Sequence, residues 1–416
     1  MVQQKLVSSE KTNNIESLNP DEPELRFPEF DNNWEKKKIK DITSLVTKGT
    51  TPKNFTNEGI NFIKVENIHN NQINNINSWI DKRTHENELS RSILKKDDLL
   101  FSIAGVYIGK TAKITEDLLP ANTNQALAII RICDFNEVNV DFLHFRLNCE
   151  DIKKYIFQNL IIGAQPNLNL KQIENINISL PSYYEQLKIS NLIKLIDKKI
   201  ELLEKKYENT LNFKKSIFEN LLNRTFSFEK SKNDWEEVKL DFILKERKEY
   251  ADKKSDYPHV TLSKNGIFPK TEEYNREFLV KDENKKYKVT HLNDICYNPA
   301  NLKFGVITLN KFGSAIFSPI YVTFEVKNAN IEYVAYSLIR NNFINKIRKY
   351  EEGTVYERMA VKPSDFLKGT ILLPPLKEQE KISNILNKLN EQLNLIEQEQ
   401  NLIKSFRKGL LQKMFI

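Results

Sequence analysis

A glycine-flanked lysine near position 110 has the residue types of a phosphate-binding site. The stretch "GVYIGKT", at 105–111, resembles the loop of nucleotide hydrolases in which backbone amides and one lysine hold the phosphates. It has three residues between Gly105 and the Gly-Lys pair, one fewer than that loop requires. The spacing therefore argues against a nucleotide site of that type and leaves Lys110 suited to contact a DNA phosphate group.

A second motif, "YNPAN" at 297–301, is similar to the Asn-Pro-Pro-aromatic loop of amino-methyltransferases. In that loop the polar oxygens hold the target amine while the aromatic ring stacks on the extruded base. Here Ala300 replaces the second proline and Asn301 replaces the aromatic residue, and no glycine-rich loop for a methyl donor follows a strand. The motif is therefore interpreted as a β-turn containing Asn-Pro.

Composition predicts folded domains and no catalytic or metal site. The chain has 416 residues, 40% hydrophobic and 29% charged, which is typical of roughly two or three globular domains. Its five histidines are scattered and its three cysteines form no Cys-x-x-Cys pair, which favours reduced thiols in the cytoplasm. No run of apolar residues approaches the length of a membrane span. The net charge of +7 permits nucleic-acid binding without establishing it.

The elements that position these loops are indicated by an internal duplication. The stretch "LPSYYEQLKIS" from Leu180 recurs as "LPPLKEQEKIS" from Leu373, at an offset of 193 residues. The same offset, without a gap, aligns Phe213 with Phe406. A register that holds over some forty residues indicates a repeated structural unit.

Each copy predicts one long helix. Pro181 and Pro374 mark the starts, because proline is tolerated only near the beginning of a helix. The glutamate and glutamine that follow are interpreted as residues of the opening turn, where an acidic side chain suits the helix dipole. Apolar residues then step by four and three, which favours pairing of the two helices as a coiled coil within the chain. This stripe comprises Ile189, Ile193, Ile196, Ile200, Leu203 and Tyr207, and then Ile382, Leu386, Leu389, Leu393, Ile396 and the polar Gln400.

The segments between the helices predict two mixed α+β globules. They start alike, with "NWEKKKIKDI" from Asn33 and "DWEEVKLDFI" from Asp234, and each contains strand-like and helical runs. The predicted organisation is a polar lead-in at 1–26, globules at 27–180 and 226–373, and long helices at 181–225 and 374–416. The fold class is α+β with an internal repeat of approximate two-fold symmetry.

Loops rich in glycine, asparagine and lysine are the candidate binding sites. Lysine contacts phosphates, and asparagine, glutamine and arginine pair with base edges, although polar residues also occupy loops for solvation alone. The candidate DNA-binding residues are Lys48, Thr50, Lys53, Asn54, Tyr107, Lys110, Asn124, Gln125, Gln165, Asn167, Lys248, Lys264, Asn298, Lys303, Tyr356 and Arg358.

The chain resembles the specificity subunits of type I restriction-modification systems. The resemblance rests on the Trp-Glu starts at Trp34 and Trp235, on "DLLFSIAGVYIGKTA" and on the two helix starts. It implies that each globule is a target recognition domain reading one half of a bipartite double-stranded DNA site, and that the helices lie antiparallel as a spacer. It also implies a subunit without catalysis or a cofactor of its own.

The same resemblance implies the partners. Two methyltransferase subunits would bind S-adenosylmethionine, and restriction and translocase subunits would use ATP and Mg. Apolar helix residues outside the seam are interpreted either as docking sites for these partners or as contacts with the globules. They are Leu187, Leu192, Leu195 and Phe218.

Two other functions are alternatives to DNA recognition, and the loops of the second globule are difficult to assign. A stand-alone coiled-coil scaffold that binds proteins would explain the helices, whereas a self-contained methyltransferase lacks the donor-binding and catalytic motifs. In the second globule "NLKFGVITL" keeps only Gly305 of the "GxIGKTA" pattern. The DNA-contacting loops of that globule are therefore harder to place.

Overall fold

The chain forms two compact units. Unit 1 comprises Met1–Glu204 with Gln398–Ile416, and unit 2 comprises Lys205–Glu397. Within the described residues, no helix is long and apolar enough to cross a membrane, and no cluster of potential metal ligands occurs. The computed structural model describes residues 22–105, 107–160, 167–223, 235–270, 286–351 and 360–416.

Unit 1 is a mixed helix and sheet structure. Its strands are β1 (Glu35–Lys38), β2 (Thr43–Lys48), β3 (Ile60–Ile63), β4 (Ile68–His69), β5 (Gln72–Ile73), β6 (Trp79–Ile80), β7 (Leu99–Ser102), β8 (Thr111–Lys113), β9 (Ala121–Thr123), β10 (Leu127–Ile132) and β11 (Asn177–Leu180). Its helices are α1 (Val140–Arg146), α2 (Glu150–Asn159), α3 (Leu170–Glu174), the first half of α4 (Tyr183–Leu222) and the end of the last helix of the chain, from Gln398 onward.

A four-stranded antiparallel sheet in the order β2-β10-β7-β8 is the centre of unit 1. Its two central strands are buried on both faces, so they read as continuous apolar runs instead of alternating ones. On β7, Leu99 and Phe101 enter the main core, and Leu100 enters a second cluster on the opposite face. The first strand, β1, pairs instead with β11, which leads directly into α4.

Unit 2 repeats this plan with different additions. Its strands are β12 (Glu236–Lys239), β13 (Leu244–Glu246), β14 (Tyr250–Asp252), β15 (Val260–Ser263), β16 (Gly266–Pro269), β17 (Lys286–Thr290), β18 (Ile295–Tyr297), β19 (Ile307–Leu309), β20 (Ala315–Phe317), β21 (Val322–Val326) and β22 (Thr370–Leu373). Its helices are the second half of α4, α5 (Leu240–Ile243), α6 (Ile331–Leu338), α7 (Asn341–Ile347), α8 (Pro363–Phe366) and the first half of α9 (Leu376–Lys413).

The sheet order β13-β21-β18-β19 matches that of unit 1 strand for strand. The pair β12–β22 likewise matches β1–β11 and leads into α9. The two units differ in their smaller sheets. Unit 1 has a three-stranded sheet in the order β6-β3-β9 and the β4–β5 hairpin. Unit 2 has a three-stranded sheet in the order β14-β17-β20 and the β15–β16 hairpin. The predicted internal repeat of two mixed globules is therefore confirmed as a repeat of topology.

The two long helices pair antiparallel, as both units show separately. In unit 1 the first half of α4 lies beside the last half of α9, where Arg407 Nη2 donates to Asp197 Oδ2 at 3.0 Å. In unit 2 the end of α4, at Leu221 and Leu222, packs in one cluster with Ile382 near the start of α9. The predicted intramolecular coiled coil is therefore confirmed.

The repeated glutamine fastens the start of α4 to unit 1. Gln186 Oε1 accepts the Asn139 N–H at 2.9 Å, and its Nε2 donates to the carbonyls of Glu137 and Pro181 at 3.0 and 2.9 Å. The repeated Ser190 donates to Asn139 Oδ1 at 3.2 Å, and Asn139 itself caps α1. The long helix and the α1 cap therefore share one buried hydrogen-bond network.

Unit 2 builds the same network at the start of α9. Gln379 Oε1 accepts the Asn330 N–H at 2.8 Å, and Ser383 donates to Asn330 Oδ1 at 2.8 Å. Asn330 caps α6 by accepting from the Tyr333 N–H. The spacing of the repeated glutamine and serine is thus explained, because these two side chains lie one helical turn apart and both bind the asparagine that caps α6.

The glutamates of the repeat lie in the opening turns as predicted, but their environment differs from the prediction. Glu185 and Glu378 are buried, at 1% and 2% exposure. Glu185 accepts two hydrogen bonds from Arg26, at 2.8 and 2.9 Å, and Glu378 accepts one from Trp235 Nε1 at 3.0 Å. Specific side-chain donors hold these carboxylates, in addition to any effect of the helix dipole.

The four apolar helix residues that sequence offered as docking candidates fall into two groups by exposure. Leu195 is 70% exposed and Leu187 is 37% exposed. Leu192 instead packs against the core of unit 1, and Phe218 packs against the helix-pair cluster of unit 2. The first two remain available for a partner, whereas the second two stabilise their own units.

Candidate nucleic-acid interface

One end of the four-stranded sheet of unit 1 gathers three loops. Strands β2 and β7 end there, and β10 and β8 begin there, because neighbouring strands are antiparallel. Backbone hydrogen bonds join the loops, since Thr50 N–H donates to Thr123 O at 3.1 Å and Ile103 N–H donates to Ala126 O at 2.9 Å. The loops after β2, β7 and β9 therefore form one continuous surface, which we call the loop end of unit 1.

Gly49 sets how closely two of these loops approach. A Cβ atom at this position would lie 2.0 Å from Thr123 O, so only glycine fits. The Gly49 N–H donates to Leu127 O at 3.3 Å, which continues the β2–β10 pairing into the loop. Its neighbours Lys48 and Thr50 are exposed on either side of this fixed point.

The loop end of unit 1 collects most of the candidates of the first globule. Asn124 is half-buried and shapes its turn by accepting the Ala126 N–H at 3.1 Å. The Thr51 hydroxyl donates to Gln125 Oε1 across the two loops. The exposed candidates here are Lys48, Thr50, Lys53, Asn54 and Gln125.

The loop between β7 and β8 presents an aromatic ring and a lysine together. Tyr107 is 54% exposed, and Lys110 Nζ lies 4.0 Å from the centre of its ring. Lys110 is half-buried and donates to Ile68 O at 3.1 Å, which uses one of the three donors of an ammonium group. The lysine is thus held in place against the ring instead of extending freely.

Asn167 joins the same surface from a distant part of the sequence. It is exposed and forms a backbone bridge with Ala104, and the next residue, Leu168, donates to Ile103 O at 2.8 Å. Three further candidates, Gln165, Tyr356 and Arg358, lie outside the described residues.

Unit 2 has an equivalent loop end, and its strand pairing places the loop that was harder to assign from sequence. The Asn298 N–H donates to Val306 O at 3.0 Å, as the Ser102 N–H donates to Lys110 O at 2.8 Å in unit 1. The segment 298–306 is therefore the counterpart of the β7–β8 loop. It carries two candidates, Asn298 and Lys303.

These two candidates have different environments. Asn298 is 5% exposed, and its Oδ1 accepts the Ala300 N–H at 3.1 Å as the cap of a 3₁₀ helix at Pro299–Phe304. This helix replaces the simple β-turn expected for "YNPAN", because the turn continues to Gly305, whose φ of 77° ends it. Lys303 is exposed, and its Nζ lies 5.2 Å from the ring centre of Phe304.

The two remaining candidates of unit 2 are both exposed lysines. Lys248 follows β13 at the loop end, and Glu246 is the nearest carboxylate, at 3.8 Å. Lys264 lies in the β15–β16 turn and borders a cleft of about 780 Å³. Phe268, Phe304 and Phe312 also line this cleft, so aromatic side chains adjoin the lysines here.

A buried ion pair supports the sheet close to the loop end in unit 2. Arg247, directly before Lys248, donates to both oxygens of Asp294 at 3.0 Å, and this hydrogen bonding raises the pKa of the Arg247 guanidinium. Asp294 is 1% exposed and also accepts the His291 N–H. Arg247 therefore stabilises the fold through its pair with Asp294, whereas the neighbouring Lys248 is exposed to solvent.

Sequence reasoning missed the aromatic residues of unit 2. Phe304 is 67% exposed, Phe268 47% and Phe312 39%. A signal existed for Phe304, because an aromatic residue between a lysine and a left-handed glycine matches the content of the β7–β8 loop. The signal was hidden because the order of residues differs between the two loops.

A family profile matches both halves of the chain. The family is described as the type I restriction modification DNA specificity domain, and the matched residues are 31–212 and 232–405. The chain belongs to this family. It is therefore a specificity subunit of the type I restriction-modification class, and not one of the catalytic subunits.

Individual relatives of the specificity-subunit family are distant. The putative type I restriction enzyme MjaX specificity subunit of Methanocaldococcus jannaschii is 25% identical over 427 residues, covering 92% of this chain and 93% of that protein. The type I restriction enzyme EcoBI specificity subunit of Escherichia coli is 29% identical over 175 residues. That match covers 41% of this chain and spans only 35% of the Escherichia coli protein.

Solved structures from type I restriction-modification systems share the fold. The crystal structure of a type I restriction-modification S subunit from M. genitalium matches with a TM-score of 0.60 and 14% identity, over 95% of this chain and 99% of that one. A structure solved for complex assembly and conformational transition of the type I system matches with a TM-score of 0.53 and 13% identity, over 93% and 98%.

Proposed function

We propose that this specificity subunit reads a bipartite double-stranded DNA site, with one half-site for each unit. The observation that carries the proposal is the repeated loop end. The same four-stranded sheet occurs in both units, and its corresponding end presents exposed lysines in each. Two copies of one reading surface in a chain suit two half-sites along a duplex.

The chemistry of the loop ends supports this role. Exposed lysines such as Lys48 and Lys303 suit phosphate contacts, which give affinity without sequence preference. The side-chain amides of Gln125 and Asn167 offer both donors and acceptors to base edges. Because the two loop ends carry different residues, the two half-sites should have different sequences.

The long helices are proposed to set the spacing between half-sites. In this proposal the target recognition domains are 27–180 and 226–373, the spacer helices are 181–225 and 374–416, and 1–26 is a polar lead-in. The side-chain oxygens of Gln186 and Gln379 accept the backbone N–H groups of Asn139 and Asn330, which fixes each helix start to its own domain. A rigid joint of this kind would transmit helix length into DNA spacing.

The partners in this proposal carry the chemistry. Two methyltransferase subunits would dock on the chain and supply S-adenosylmethionine for adenine methylation, and restriction and translocase subunits would use ATP and Mg. Exposed Leu187 and Leu195 on α4 are the candidate docking residues. The complex would act in the cytoplasm, where the DNA is.

Sequencing of N6-methyladenine in the host genome tests the proposal. The intact host should show one bipartite motif that disappears when this chain is deleted. Replacing residues 27–180 with the corresponding domain of another specificity subunit should change one half of the motif only. Replacing residues 226–373 is the matched control and should change the other half. An unchanged methylome after deletion would contradict the proposal.

A further inference from the structure

Each loop end carries an exposed aromatic ring beside a lysine. In unit 1, Tyr107 is 54% exposed with the Lys110 ammonium 4.0 Å from its ring centre. In unit 2, Phe304 is 67% exposed with the Lys303 ammonium 5.2 Å from its ring centre. Both pairs lie in the loop that joins the third and fourth strands of the sheet, which are β7 and β8 or β18 and β19.

Backbone geometry confirms that the two loops correspond. A glycine with left-handed φ lies two residues before the second strand in each, at Gly109 with φ of 88° and at Gly305 with φ of 77°. In this register Tyr107 aligns with Lys303, and Phe304 aligns with Ile108. The aromatic and lysine residues are therefore shared by the loop, whereas their order along the chain is reversed.

An exposed ring at this place has a cost that binding would remove. Leaving a phenyl ring in water forgoes the favourable free energy of burying its apolar surface. Single exposed aromatics are common on protein surfaces and by themselves indicate nothing. Here the same combination recurs in two loops of different sequence, and each ring has a cation within reach. Rings that stack on bases or contact thymine methyl groups, next to lysines that contact phosphate, are typical of nucleic-acid surfaces.

We propose that Tyr107 and Phe304 contact the bases of their respective half-sites, while Lys110 and Lys303 contact a neighbouring phosphate. This inference rests on the proposed reading of DNA and adds Phe304 as a residue of the second reading surface. Phe304 has no hydroxyl group, so its contact with a base is entirely apolar. The Tyr107 hydroxyl can add a hydrogen bond, which gives the first contact a sequence preference of a different kind.

Binding measurements on three DNA duplexes test the inference. The host-purified chain, with the subunits that accompany it, is titrated with a fluorescent duplex carrying the motif found in the methylome. Two further duplexes each have one half-site scrambled. Phe304→Ala and Tyr107→Ala should each weaken binding to the intact site by about tenfold. Scrambling one half-site should abolish the effect of Phe304→Ala, and scrambling the other should abolish that of Tyr107→Ala.

Matched controls exist in both units. Phe242, 66% exposed, precedes β13, and Phe135, 49% exposed, follows β10, so both lie at the sheet end opposite the loops. Phe242→Ala and Phe135→Ala should leave the Kd within about twofold of the native value. Phe304→Trp, which keeps a ring, should retain affinity, and equal melting temperatures would show that every variant folds.

The outcomes separate this inference from the function on which it rests. Native affinity and specificity in Phe304→Ala would overturn the role of the ring and leave DNA reading intact. Loss by both variants on the same half-site would also overturn the assignment of one ring to each half-site. Absence of any sequence-dependent binding by the native complex would instead overturn the proposed function itself.

Discussion

The two units hold the same repeated glutamate with different donors. In unit 1, Glu185 pairs with the guanidinium of Arg26, a residue from before the first strand. In unit 2, Glu378 accepts from the indole of Trp235, directly before the first strand of that unit. Trp34, the counterpart of Trp235, has no hydrogen-bond partner for its Nε1 among the described residues. The helix start thus requires a buried carboxylate, and each unit supplies a donor of its own.

Removing the charged donor should have the largest effect and should be confined to unit 1. Arg26→Met leaves Glu185, 1% exposed, without its ion-pair partner, which costs about 3–5 kcal/mol. Urea unfolding gives the free energy, and hydrogen exchange shows which unit loses protection. Lys404→Met, which removes a half-exposed pair with Glu204, is the control and should cost under about 1 kcal/mol. Equal loss of protection in unit 2 would contradict the separation of the two joints.

A buried histidine in unit 1 makes that unit sensitive to acid, and unit 2 has no histidine at the corresponding position. Burial lowers the pKa of His144 from its ordinary value of 6.5 to about 4, with a smaller opposing effect of Asp141. Five residues after its capping asparagine, unit 2 has Ala335 where unit 1 has His144. As pH falls below 6.5 the unfolded chain binds a proton that the folded chain does not, so stability is full above pH 6.5 and is lost towards pH 4.

The expected loss from His144 between pH 7.5 and pH 5 is about 2 kcal/mol of unfolding free energy. His144→Gln should flatten the pH dependence by that amount, as measured by urea unfolding at each pH. His259, a half-buried histidine of unit 2, provides a control through His259→Gln. An unchanged pH profile in His144→Gln would show that other groups cause the acid sensitivity.

The two tryptophans should differ by the smallest amount. Trp235→Phe removes one hydrogen bond to the buried Glu378, whereas Trp34→Phe removes none within the described residues. The first substitution should therefore cost about 1 kcal/mol more than the second, since both lose similar ring volume. Urea unfolding of the two variants in parallel measures this difference. Equal costs would mean that the indole bond at Trp235 contributes nothing net.

Sequence predicted the helices and the two globules well because these depend on periodicity and repetition. The stripe from Ile189 to Leu203 follows from where apolar residues recur, and a helix needs no distant partner to be recognised. The partners of Glu185 and Gln186 were not predictable in this way. Arg26 and Asn139 are far from them in the sequence, and only the packing of the unit brings them together.

The residues of the two loop ends were likewise predicted only in part. Lys48, Gln125 and Lys110 were grouped by loop composition, and antiparallel pairing then placed their loops at one sheet end. Phe304 was missed because the comparison of the two globules used residue order, and the loop of unit 2 reverses it. Strand pairing defines which loop positions correspond, whatever their residues are, and a single sequence does not contain the strand pairing.

The fold imposes an order of completion on synthesis. Leu410, Met414 and Phe415 fill the core of unit 1, and the Leu25 N–H donates to Lys413 O at 2.8 Å. All of unit 2 leaves the ribosome before these residues do. Unit 1 is therefore synthesised first but completed last, because its core stays incomplete until the end of α9 has been made.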